Sequence, residues 1–209
     1  MAEIATLFWD VGGVLATNGW DRDTRHAAAL RFGLEEAEFE QRHEALVSAL
    51  ETGKISLNDY LDRTVLCHRQ AFSREEFKAF IYAQSQPKPD SLALARELSD
   101  KYLMATINNE SLELNLFRIE KFGLREMFVA FFSSCFVRLR KPDPAIYKLA
   151  LDVTQKTHEE CCFIDDRPLN LEGARQVGMR VIQFQDANQL RRDLAELGVT
   201  AAPAAVPAA

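Results

Sequence analysis

Six residues of this chain sit where side chains can meet to do chemistry: Asp10, the pair Asn108–Asn109, Lys141 and the pair Asp165–Asp166. The aspartates and asparagines follow short apolar runs, and Lys141 lies in RKPDPAIY after another such run. In an open parallel sheet, groups placed just past the carboxyl ends of the strands share one crevice. Three carboxylates gathered there repel one another when ionised, and one lysine does not offset them, so a divalent cation is implied. The ligands on offer are all oxygens, which suits Mg²⁺. An aspartate in that cluster, beside a lysine and amide donors, can attack a phosphoryl group while metal and lysine stabilise the transferred oxygens. Taken singly, each residue has a plainer role. A strand-ending Asp makes a turn, Asp165–Asp166 before Arg167-Pro168 caps a helix, and Lys141 is a solvated charge. Four coincident strand ends favour a site.

The elements that must carry these residues are legible as apolar patterns. Buried strands are predicted at Ile4–Trp9, Tyr102–Ile107, Ala130–Ser133, Cys161–Ile164 and Met179–Phe184. Most are continuous apolar runs, as expected for strands covered on both faces. Helical spacing appears at Asp90–Leu98, Ser111–Phe122, Asp143–Thr154 and Asn170–Val177, with Gly123 and Gly178 at stop positions. Strand–helix alternation predicts an α/β fold with a Rossmann-like parallel sheet. Residues 20–88 break the alternation with four helical runs, Arg22–Phe32, Glu35–Leu50, Leu57–Leu66 and Arg74–Ala83. Gly33 and Gly53 terminate two of them; Ser56 and Ser73 are N-cap candidates, the second with Glu76 as a capping box. An inserted helical block is therefore expected at 19–88, between core segments 1–18 and 89–198, with PKPD (Pro87–Asp90) as its return hinge. The Ala/Pro-rich stretch 199–209 is expected to be disordered.

Composition narrows the classes of partner. A hydrophobic fraction of 47% and a charged fraction of 27% are those of an ordinary globular chain of 209 residues. The net charge of −6 without a Lys/Arg cluster argues against nucleic acid but not against a small phosphorylated substrate. No apolar run is long enough to cross a bilayer, and MAEIATLFWD lacks the basic region of a secretory signal. Cys67, Cys135, Cys161 and Cys162 show no C-x-x-C spacing, which points to a reduced, cytoplasmic chain. His26, His43, His68 and His158 are scattered and read as surface or half-buried residues.

With these residues placed, FWDVGGVL, TINNES, LRKPDPAIY and CFIDDRPLNLEGARQVGM resemble the four ordered motifs of the haloacid dehalogenase-like hydrolase superfamily. The pattern is most similar to its phosphatase branch, which includes glucose-1-phosphate phosphatases and the N-terminal domains of soluble epoxide hydrolases. The resemblance runs from Ile4 to about Leu197. It implies that Asp10 is a nucleophile forming an aspartyl-phosphate, and that the carbonyl of Gly12 is a Mg²⁺ ligand. It implies that Asn108 and Asn109 bind the phosphoryl group, with Lys141 holding nucleophile and phosphoryl oxygens. Asp166 would bind the metal directly, with Asp165 a ligand or an orienter of metal-bound water, and Asn170 would support that loop. The helical insert would be a cap that selects substrate.

Two positions depart from the pattern. The second aspartate that usually follows the nucleophile by two residues is Gly12 here. Positioned acid–base catalysis is worth roughly 10²–10⁴ in rate. Three outcomes follow: a substrate whose leaving group needs little protonation, a substitute group, or vestigial catalysis. Asn108 stands where Ser or Thr is usual; an amide also donates a hydrogen bond but is bulkier. A metal-independent 2-haloacid dehalogenase is the rival reading. Gly12 is compatible with it and the Asp165–Asp166 pair is not. A non-catalytic member of the superfamily is the other, against which Asp10, Lys141, Asp165 and Asp166 are all in place. In the cap, Arg22, Arg25, His26 and Arg42 are polar candidates for substrate contact, and Trp9 and Trp20 lie near the nucleophile loop.

Overall fold

A computed structural model describes residues 2–200. Five parallel strands form one sheet: β1 (Thr6–Trp9), β2 (Leu103–Asn108), β3 (Ala130–Ser133), β4 (Cys161–Asp165) and β5 (Arg180–Gln183). Their order is β3-β2-β1-β4-β5, so β1 is central. Register places Trp9 beside Thr106 and Ile164, which brings the ends of β1, β2 and β4 to one edge. The helices are α1 (Arg22–Phe32), α2 (Glu36–Glu51), α3 (Leu57–Thr64), α4 (Arg74–Ala83), α5 (Pro89–Ser99), α6 (Leu112–Lys121), α7 (Ser134–Val137), α8 (Pro144–Thr154), α9 (Pro168–Gln176) and α10 (Ala187–Glu196).

The continuous apolar character of the strands follows from cover on both faces. Leu7, Trp9, Met104, Cys162 and Ile164 pack with Leu94 and Leu98 of α5 and Leu190 and Leu194 of α10. Phe8, Ala105, Ile107 and Phe163 face the other way, onto Ile146 and Tyr147 of α8 and Leu171 and Ala174 of α9. This is the three-layer α/β architecture expected from the alternation. Trp9 is fully buried in it, edge-on to Phe128, and takes no part in the crevice.

Helices α1–α4 occupy the span between β1 and α5 and have a core of their own, built on Phe39, Leu50, Leu57, Tyr60, Leu61, Phe77 and Ile81. Leu114 of α6 joins that core, so the insert is seated on the sheet layer. Ser56 and Ser73 cap α3 and α4 through capping boxes with Asp59 and Glu76. Gly33 ends α1 in the left-handed region, where its N–H bonds the Ala29 carbonyl. The chain enters and leaves the insert side by side. Ala16 and Pro87 form an antiparallel bridge, the Thr17 N–H donates to the Gln86 carbonyl (2.9 Å), and the Lys88 N–H donates to the Leu15 carbonyl (2.9 Å).

The structure departs from the sequence reading in several places. β2 runs on through Asn108, and α3 stops at Thr64 rather than Leu66. Helices α5 and α9 start early because Pro89 and Pro168 take first-turn positions that need no N–H donor. Helices α7 and α10 were not anticipated. α10 carried a signal nonetheless, an Asp186 N-cap with Leu190 and Leu194 four apart and buried. His43 is buried, not half-exposed. At the start of the stretch expected to be disordered, Val199 is buried in the core and the Thr200 N–H donates to Tyr102 Oη (3.0 Å). The rest of the expected tail, 201–209, lies outside the described residues. Among the described residues no helix is long and apolar enough to cross a membrane.

Candidate functional site

The site is built on the loop after β1. The Asp10 N–H still follows sheet geometry, donating to the Ile164 carbonyl (2.9 Å), so the side chain emerges at the strand's end. Asp10 Oδ1 accepts from the Val11 N–H (2.8 Å) and from Lys141 Nζ (2.8 Å). No protein donor among the described residues meets Oδ2. Lys141 Nζ also donates to Asp165 Oδ2 (2.6 Å), so one buried ammonium ties β1 to β4. Asn109 holds the lysine's backbone from both sides: its Oδ1 accepts from the Lys141 N–H (2.8 Å) and its Nδ2 donates to the Lys141 carbonyl (2.9 Å).

The two aspartates after β4 have different surroundings. Asp165 is fully buried, and both its oxygens are engaged. Oδ1 accepts from the Arg167 N–H and Asn170 Nδ2, and Oδ2 from Asn170 Nδ2 and Lys141. Tyr147 Oη holds this loop by donating to the Asn170 carbonyl (2.7 Å). Asp166 instead has a buried Oδ1 with no hydrogen-bond partner. A buried carboxylate oxygen left unpaired costs free energy unless a cation meets it. One carboxylate oxygen each of Asp10, Asp165 and Asp166 lie within 4.8 Å of one another. With all three ionised against Lys141, the cluster is short of two positive charges, the number a divalent cation supplies.

The electrostatics reflect that shortage. Burial pushes the Asp10 carboxyl up to about 7; Lys141 opposes this, and Asp165 adds to it. Burial and the neighbouring Asp165 also raise Asp166. Burial works against the Lys141 ammonium, but Asp10 and Asp165 outweigh it and keep it above the ordinary lysine value. Gly13 makes the loop fit. It has φ +82°, and a Cβ there would overlap the Asp166 carboxylate.

Asn108 does not share the crevice. Its Nδ2 donates to Asn115 Oδ1 (3.0 Å) and its Oδ1 accepts from Ser133 Oγ (2.8 Å), so the amide expected to reach a phosphoryl group is turned into a buried network joining β2, α6 and β3. The crevice opens into a cleft of about 540 Å³ between sheet and insert. Of the insert residues read as candidates, Arg22, Arg25 and Trp20 line it, whereas His26 and Arg42 pair with Glu36 and Glu38 away from it. Arg25 is already spent on Glu40 through two bonds (2.7 and 2.9 Å).

The lining also includes His43, Glu110 and Arg118, to which the sequence reading gave no part in the site. Trp20 Nε1 donates to Tyr60 Oη (3.3 Å), and Oη lies 2.8 Å from His43 Nδ1. The indole only donates, so His43 Nδ1 is the acceptor left for the buried phenol hydrogen, and the neutral imidazole then carries its proton on Nε2. Burial, then Arg25, hold this histidine down at about 4, so it stays neutral. Arg118 reaches from α6 under the β1 loop. Its Nε donates to Ser85 Oγ (3.0 Å), its Nη2 to the Thr17 carbonyl (3.0 Å), and its Nη1 lies 3.1 Å from Glu110 Oε2.

Residues 4–178 match the haloacid dehalogenase-like hydrolase family. The chain belongs to that family. Among its hydrolase relatives, flavin mononucleotide hydrolase 1 of Arabidopsis thaliana is 40% identical over 68 residues, 32% of this chain and 28% of the relative. Bifunctional epoxide hydrolase 2 of Sus scrofa is 29% identical over 93% of this chain and 38% of its own length. The chain thus spans well under half of these two curated relatives. Phosphatase MT3486 of Mycobacterium tuberculosis is 28% identical, with 93% of this chain and 95% of that protein covered. Among solved structures, a haloacid dehalogenase-family enzyme of Bacteroides thetaiotaomicron in complex with magnesium and inorganic phosphate aligns with a TM-score of 0.76. It is 22% identical over 90% of this chain and 98% of its own, and it shares the fold of this hydrolase.

Proposed function

We propose that this hydrolase is a Mg²⁺-dependent phosphatase acting on a small phosphorylated metabolite, such as a sugar phosphate, through an aspartyl-phosphate on Asp10. The observation that carries the reading is the buried chain Asp10–Lys141–Asp165 beside the unpartnered Oδ1 of Asp166. Lys141 fixes Asp10 by Oδ1, which leaves Oδ2 to attack phosphorus, and the same ammonium would steady the phosphoryl oxygens. The donor set fits Mg²⁺, held by Asp10, the Gly12 carbonyl and Asp166, with Asp165 orienting the cluster through Lys141 and Asn170. The cation would supply positive charge for the transferred phosphoryl group. Asn109 acts by clamping the lysine loop, and Asn108 by tying β2 to β3 and α6. The helices α1–α4 act as a cap, offering Arg22, Trp20 and the Nε2–H of His43 to the substrate. The phosphatase and flavin mononucleotide hydrolase among the relatives support this reading.

A phosphate-release panel of sugar phosphates, acyl phosphates and nitrophenyl phosphate, run with Mg²⁺ and with EDTA, tests the reading. Turnover is expected with Mg²⁺ alone, and Asp10→Asn is expected to remove it. Activity retained in Asp10→Asn would exclude the nucleophile. Release of halide from 2-haloacids in EDTA would replace the phosphatase reading with dehalogenation, for which the neutral Gly12 is the one favourable observation.

A further inference from the structure

The missing side chain at position 12 leaves a place that the structure fills from elsewhere. A Cβ on Gly12 would lie 3.3 Å from Arg118 Nη1. That same nitrogen lies 3.1 Å from Glu110 Oε2. One guanidinium therefore links the spot where a second aspartate would stand to a carboxyl on the loop after β2. Asp10, Gly12, Glu110, Arg118 and Lys141 all line the same cleft. Arg118 cannot itself exchange a proton at working pH, but a carboxyl can.

We propose that Glu110 is the acid–base group of this site, handling the proton that no side chain at position 12 can handle, with Arg118 as its positioning residue. This rests on the phosphatase reading above. In the first half-reaction Asp10 Oδ2 bonds to phosphorus, the bond from phosphorus to the leaving oxygen breaks, and the Glu110 proton passes to that oxygen. In the second, water attacks phosphorus, the bond to Asp10 breaks, and the water's proton returns to Glu110. The balance is ester plus water to alcohol plus phosphate, with Glu110 restored.

Two opposing influences act on the Glu110 proton: burial favours keeping it, and the Arg118 guanidinium and the Ser111 N–H favour the carboxylate. Glu110 Oε1 accepts from the Ser111 N–H (2.9 Å), and its own N–H donates to Ser134 Oγ (3.0 Å), so the residue is fixed at both ends. Arg118 on α6 and Glu51 at the end of α2 are the charged groups facing it; Cys135 of α7 lies close by, and Glu51 is itself paired with Arg140 (2.6 Å). Burial pushes the Glu110 carboxyl up to about 7, against the pull of Arg118 and Ser111. An acid so placed is available near neutrality and lost above it.

The test compares kcat/KM, which ends at alcohol release, for an alkyl phosphate and for nitrophenyl phosphate, whose leaving group departs without a proton. In Glu110→Gln, kcat/KM on the alkyl ester is expected to fall by about 10²–10⁴, and on the nitrophenyl ester at least tenfold less. The wild-type alkyl profile should fall above pH about 7 while the nitrophenyl profile does not; this limb can be measured even if the variant folds poorly. Equal losses on both esters, or the same high-pH limb for both, would overturn the role of Glu110 while leaving the phosphatase reading in place. Absence of Mg²⁺-dependent turnover by the wild type on either ester would overturn both.

Discussion

At the scale of single residues, two adjacent glycines after Asp10 do different work. Gly13 sits at φ +82°, a conformation that side chains strain to adopt, and its bare Cα lets the Asp166 carboxylate approach. Gly12 is under no such backbone demand, and a Cβ there would lie 3.3 Å from Arg118 Nη1 and Asn18 Oδ1, close enough that these side-chain ends must give by a few tenths of an ångström. Gly13→Ala is therefore expected to cost about 1–3 kcal/mol and to remove Mg²⁺-dependent turnover. Gly12→Ala should fold with a melting temperature close to that of the wild type. Thermal melts and the phosphate assay on the two variants check this. Asp10, Asp165 and Asp166 were legible because a parallel sheet delivers its strand ends to one edge, whatever the details of packing; Lys141 lies beyond α7 and is brought there by Asn109, which follows β2. Glu110 and Arg118 were not legible. Their meeting with Gly12 depends on how α6 slides beneath the β1 loop, and no local pattern encodes that contact. Asn108 was misplaced for a related reason, since Asn115 and Ser133, distant in sequence, claim both ends of its amide.

At the scale of elements, strands were read well because cover on both faces leaves an apolar run with few alternatives. Helix ends shifted by a residue or two wherever proline opened the first turn. The insert shows what tertiary context adds. His43 is an ordinary polar position on α2 by spacing, yet it ends up buried against Tyr60 of α3 and on the wall of the cleft. Its folded pKa lies near 4, below the ordinary histidine value of 6.5, because burial and Arg25 disfavour the charge. The unfolded chain therefore takes up a proton that the folded chain refuses. The stability contributed at this site is full above pH about 6.5 and is lost as pH falls toward about 4. Urea melts across that window should show falling midpoints for the wild type and a shallower fall for His43→Gln. Equal slopes in the two proteins would show that His43 does not set the trend.

For the whole molecule, the unbalanced acidic cluster links fold to ligand. Three carboxylates stand against one ammonium at the edge of the sheet, and a bound divalent cation would offset their repulsion. At Mg²⁺ a hundredfold above Kd, stabilisation should be about 2.7 kcal/mol, or about 5–10 °C in melting temperature for a chain of this size. Asp166→Asn should melt higher than the wild type in EDTA, because repulsion is removed, and should lose the Mg²⁺-induced rise. Scanning fluorimetry of both proteins with and without the cation measures this. The paired entry and exit of the insert, closed by Ala16, Thr17, Gln86 and Pro87, has a further consequence. The chain crosses into the insert and back at one paired strip, so the two ends of α1–α4 cannot part from each other without breaking those hydrogen bonds.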